Sequence, residues 1–221
     1  MQRFGTGRWD LSCLVKNPNS AQFAQKIQNI EKNVKRFEKI KPSLNPNIQS
    51  KKFQNILHNL EAISEKISTV AGYAHLSYAA NTQSDEATSL VTKMTKLAAD
   101  IENRTLFFDL WWKKKIDEKN AKRLIKDAGQ LTNYLRFKRL MAKYSLSEPE
   151  EKIINTLDVT GISALVKLYD KITNAFEYVV NIDGKKRRLT REELAGLVRS
   201  SKPKTREAAY KTLLGKYFDN K

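Results

Sequence analysis

The chain has 221 residues, 40% apolar and 29% charged, with only 8 Gly and 5 Pro, which excludes collagen-like, elastin-like and mostly disordered classes and leaves length enough for a real hydrophobic core. Its 41 Lys and Arg against 24 Asp and Glu give a formal charge of +17, gathered in residues 1–60 (+8), 111–140 (+7) and 181–206 (+6). A single cysteine, Cys13, excludes an internal disulfide. With no apolar run near the roughly 18 residues that span a bilayer, and no apolar segment within Met1–Asp10, the expectation is a soluble, cytoplasmic protein without a membrane partner.

After the breaker Asn17-Pro18-Asn19, the spacing of Phe23, Ile27, Ile30, Val34 and Phe37 puts five apolar side chains on one stripe of a helix, with Lys26, Lys32, Lys35 and Lys39 on the solvated side. Pro42 and Pro46 stop it. The same period in Phe53, Ile56, Leu57, Leu60, Ile63, Ile67, Val70 and Ala74 predicts a long helix from about Ser50 to Tyr78. Ser84 is placed to cap a third helix whose first turn holds Asp85 and Glu86, with Leu90, Met94, Leu97 and Ile101 on its buried stripe. That helix runs into Leu106-Phe107-Phe108-Asp109-Leu110-Trp111-Trp112, apolar on all sides and expected to lie between helix layers.

A fourth helix is expected over about Asp117–Lys143, with Gly129 as a kink or break. In Ser147-Glu148-Pro149-Glu150 a capping box opens the next helix, whose buried face is assigned to Ile153, Ile154 and Leu157 before Gly161. A further helix covers about Ser163–Thr173. The period then changes to two: Phe176, Tyr178, Val180 and Ile182 alternate with polar or edge positions, and Asp183-Gly184 is a hairpin turn. A second capping box, Thr190-Arg191-Glu192-Glu193, opens a helix through Leu194, Leu197 and Val198, and a last helix holds Ala209, Leu213, Leu214 and Tyr217. The fold class is mainly α, a multi-helix array with one small β-hairpin near 176–189.

No catalytic, cofactor-binding or metal-ligating residue emerges. A zinc peptidase helix carries His-Glu-x-x-His, which brings both imidazoles to one metal, whereas His58 and His75 lie seventeen residues apart and neither begins that motif. Cys13 has no base beside it in sequence and reads as a structural thiol. Gly5-Thr6-Gly7 lacks the rest of a phosphate cradle, and Glu150-Glu151 and Glu192-Glu193 sit where capping explains them. Lys113-Lys114-Lys115 and Lys185-Lys186-Arg187-Arg188, near Trp111, Trp112 and Tyr178, have the elements of a nucleic-acid surface. The favoured reading is a solvated charge run beside core aromatics, since no nucleic-acid-binding signature accompanies it.

Several strings in this order resemble the N-terminal part of the oligoendopeptidase F family, zinc metallopeptidases related to thimet oligopeptidase. They are Trp9-Asp10-Leu11; Gly72-Tyr73-Ala74-His75-Leu76 with Asn81-Thr82; Phe107-Phe108-Asp109-Leu110; Leu146 to Ile153 through Gly161; Leu165 to Thr173; the hairpin with Leu189 to Glu193; and Ser200 to Ala209. The resemblance implies a helical enzyme of two lobes around a channel in which zinc and short peptides bind, its zinc motif beyond the matched region. No catalytic or metal residue therefore transfers to this chain, and no cofactor is expected in it; zinc belongs to the full-length family enzyme.

On that basis residues 1–145 read as an N-terminal helical lobe and 146–221 as the start of the peptidase-domain helical region. The expectation is an N-terminal lobe, inactive alone, that pairs with a complementary C-terminal catalytic lobe or with itself. A basic helical nucleic-acid-binding or adaptor protein is the alternative from another class, and an inactive peptidase remnant is a third.

Overall fold

Where the sequence carries a period near 3.6 the chain is helical, and where the period is two it forms the only sheet among the described residues. A computed structural model describes residues 10–220, so Trp9 and the Gly5-Thr6-Gly7 string lie outside the described residues. The chain divides into two compact units, Met1–Ile162 and Ser163–Lys221.

In the first unit, α1 (Ala21–Glu38), α2 (Ser50–Ala80) and α3 (Asp85–Leu110) pack against one another in every pairing. Ser20 and Ser84 cap α1 and α3, each hydroxyl accepting from the backbone amide three residues on. The expected stripes are inside: Phe23, Ile30, Val34 and Phe37 from α1, Phe53, Ile56, Leu57, Ile63, Val70 and Ala74 from α2, Met94 and Ile101 from α3. The aromatic run closes this core. Phe53 lies 5.0 Å from Trp112 and 6.1 Å from Phe108 between ring centres, and Phe37 meets Phe107 at 5.6 Å and Phe108 edge-on at 5.9 Å.

The helix changes pitch at this cluster. Trp111–Lys115 is a π-helical turn, closed by the Ile116 amide donating to the Trp111 carbonyl. The widened turn leaves carbonyls over, and Arg139 takes up two, donating to Trp112 O at 2.9 Å and Ile116 O at 3.2 Å. Arg139 comes from α5 (Thr132–Leu140), which follows α4 (Glu118–Lys126). The single helix expected over 117–143 is thus two. Gly129 sits at φ +55, a left-handed conformation open to glycine, and a 3-10 turn at Gly129–Leu131 re-aims the chain.

α6 (Glu148–Thr160) overturns one expectation. Glu150 reaches back to the Ser147 amide at 2.8 Å as the capping box requires, but Ile153, Ile154 and Leu157 are 58%, 50% and 61% exposed rather than buried. The reason is which side meets α3. Asn155 donates to Asn103 at 3.0 Å and Asn103 to Thr156 at 3.3 Å, so α6 packs through its polar edge and turns its apolar face outward.

The second unit holds α7 (Ile162–Asn174) from Ser163 on, the antiparallel pair β1 (Tyr178–Ile182) and β2 (Lys185–Leu189), α8 (Arg191–Val198) and α9 (Pro203–Asp219). Asp183 (φ 49) and Gly184 (φ 78) form the turn, both left-handed as a two-residue hairpin of this kind demands. β1 alternates as its sequence dictates, with Tyr178, Val180 and Ile182 buried against Leu194 and Ala209.

Candidate functional site

The residues from which chemistry would be built do not converge. His58 and His75 stand on the same helix, seventeen residues apart, which separates them by about 25 Å along its axis. His58 is exposed, with Nδ1 3.4 Å from Glu61. His75 and Cys13 are also exposed. No group of three His, Cys, Asp or Glu side chains that could hold a metal occurs among the described residues. These residues do not fit a zinc centre.

The paired carboxylates serve helix starts. Glu150 accepts from the Ser147 hydroxyl and amide, Glu151 from the Leu146 amide, and Glu193 from the Thr190 amide at 2.8 Å and hydroxyl at 3.0 Å. The Ser147 hydroxyl holds the Glu150 carboxyl below the usual carboxylate range, and the Thr190 amide does the same to Glu193. A general acid needs the opposite shift.

The basic runs divide. Lys113 pairs with Asp109, which also receives Lys138 at 2.9 Å, and Lys114 donates to the Ser145 and Leu146 carbonyls, so part of this run ties the π-helical turn to its neighbours. Burial is the strongest single influence on the Lys138 pKa and pushes it down, but the hydrogen bond and charge of Asp109 together with Tyr134 leave it raised. Trp111 and Trp112 are buried, and the Trp112 indole donates to Leu135 O at 3.0 Å, so neither ring is open to a base. Tyr178 is buried as well, while Lys185 to Arg188 are exposed along β2.

What the surface offers is apolar. In the first unit Phe137, Leu140, Tyr144, Ile153, Ile154 and Leu157 are all half exposed or more. In the second, α7 shows Ile162 (70%), Leu165 (65%), Leu168, Val166, Tyr169 and Ile172 to solvent, and Thr173 is its one buried residue. Successive turns place Leu165, Tyr169 and Ile172 on one stripe, the pattern of a helix made to be covered. The sequence signal for these faces was their periodicity, which does not distinguish a face covered by the same chain from one left open.

Residues 114–178 match the family described as Oligopeptidase F. No curated protein matches the chain. The fold is similar to that in the crystal structure of oligoendopeptidase-F from Enterococcus faecium, with a TM-score of 0.70 and 17% identity, over 90% of this chain and 38% of that enzyme. At that identity the likeness carries the fold, and the chain spans well under half of the solved enzyme's length. The family match and the shared fold together support an oligopeptidase F-like N-terminal region. No helix among the described residues is long and apolar enough to cross a membrane.

Proposed function

We propose that this chain is the N-terminal lobe of an oligoendopeptidase F-like zinc metalloendopeptidase of the cytoplasm, a lobe that bounds the peptide channel and excludes long or folded substrates while the zinc and the chemistry reside in a complementary C-terminal catalytic lobe. The observation that carries this reading is the fold likeness over 90% of this chain but only 38% of the Enterococcus faecium enzyme. Two features support it. The only histidines are about 25 Å apart and so do not form a zinc pair. The outward apolar faces of α6 and of α7 give a catalytic lobe something to cover.

The division of labour follows from these residues. The walls contribute exclusion and orientation, which raise the effective concentration of a correctly placed short peptide, and they supply no nucleophile, base or metal ligand. The test is complementation: the chain is mixed with a separately expressed lobe bearing His-Glu-x-x-His and zinc, and hydrolysis of a fluorogenic oligopeptide is followed. Turnover that needs both pieces, and that falls when Leu165→Lys and Leu168→Lys are introduced together, is the expected result. A catalytic lobe equally active and equally selective for short peptides without this chain overturns the proposal.

A further inference from the structure

The α1–α2 groove sorts charge in a way that the lobe reading does not use. A cavity of about 530 Å³ lies between these helices, floored by buried Ile30 and Val70 and walled by Lys26, Lys32, Arg36 and Lys66 with the carboxamides of Asn29 and Asn33. A second cavity of about 190 Å³ continues it, sharing Asn33, Arg36 and Lys66. No carboxylate lines either one. The reason lies on the other side of α1. Its only two acids, Glu31 and Glu38, are both drawn to Arg104 of α3, at 2.7 Å and 2.8 Å, and Lys35 joins Glu31 there. Lys26 donates to Leu14 O, and Lys32, Arg36 and Lys66 have no ion-pair partner among the described residues.

We infer that this groove binds a short phosphoanhydride chain, a tripolyphosphate or the polyphosphate portion of a larger ligand. Lys26 and Arg36 are ten residues apart, about 15 Å along the helix, so four cations share a short track. An extended acidic peptide presents same-side carboxylates only about every 6.6 Å, too sparse to match them. A phosphate chain packs its charges more closely, and lysine as a point charge with arginine as a fork is the donor set suited to it. The exposed lining carries no aromatic ring, so a single-stranded nucleic acid would find no stacking platform there.

Isothermal titration of the chain with sodium tripolyphosphate tests this. All four cations are exposed, so charge-removing variants keep the fold, which circular dichroism verifies. Lys32→Gln with Lys66→Gln is expected to weaken binding about tenfold or more, and Lys185→Gln with Lys186→Gln on the β2 strand to leave it within about twofold. Equal losses from both pairs mean diffuse attraction to a +17 chain and overturn the assignment, as does an absence of binding to the unmodified chain. Tighter binding of polyglutamate or of a single-stranded RNA oligonucleotide at the same residues overturns it in favour of those ligands.

Discussion

Two apolar stretches of this chain meet opposite fates. Leu106 to Trp112 and Ile162 to Ile172 are both rich in large side chains at helical spacing, yet every apolar residue of the first is buried while those of α7 stand about half to two-thirds exposed. The first is enclosed by α1, α2 and α5 and anchored by two polar ties, the Trp112 indole to Leu135 O and Arg139 to the carbonyls the π-helical turn leaves over. The second has no such enclosure within its own unit. Apolar content alone therefore marks what must be covered, and only the packing shows whether this chain does the covering.

Substitutions sharpen that contrast, beginning with the largest effect. Trp112→Ala removes the most buried ring of the Leu106–Trp112 stretch and is expected to lower unfolding free energy by about 3–5 kcal/mol in urea titrations. A loss under about 1 kcal/mol would mean that the junction is not the core it resembles.

Next comes the charged clasp between α1 and α3. Arg104→Ala strips Glu31 and Glu38 of a partner that meets Glu38 through two nitrogens at 2.8 Å, and with the carboxylates partly solvated the expected loss is about 1–2 kcal/mol at neutral pH. The Arg104 hydrogen bonds hold both carboxyls below their ordinary value of 4.5. The clasp's contribution is therefore fully present above about pH 4.5 and disappears as pH falls through the depressed folded values. In stability measurements from pH 7 to pH 3 the gap between the wild type and the variant should narrow below about pH 4.5; a gap that stays constant or widens over that range would contradict this assignment.

Thr190→Ala removes the hydroxyl that accepts from the Glu193 amide and is expected to destabilise the second unit by about 1 kcal/mol, read by hydrogen exchange in α8. Smallest is Leu165→Ala, within about 0.5 kcal/mol in the isolated chain because the side chain has little to lose. Its effect should appear instead as weaker association with the proposed catalytic lobe in sedimentation velocity. A loss above about 2 kcal/mol without any change in association would show α7 to be packed and would break the contrast.

Much of this architecture is legible in the chain. Local rules decide the caps at Ser84, Ser147 and Thr190, the left-handed pair Asp183-Gly184 and the stripes of α1 to α3, because each depends on neighbours a few residues away. The π-helical turn carries no glycine or proline to announce it and depends on Arg139, more than twenty residues on. The outward face of α6 depends on Asn103, about fifty residues before it, so periodicity found the face and missed its direction. The basic groove joins residues near 30 to residues near 66. Its sign in the sequence is faint: cations of α1 whose nearest acids are claimed by another helix.

The proposed lobe has no reaction centre of its own. Purified chain supplied with zinc and a fluorogenic oligopeptide measures that directly. No turnover above the rate of zinc and buffer is the predicted result, and zinc-dependent cleavage that copurifies with the chain and is lost in His58→Ala with His75→Ala would contradict it.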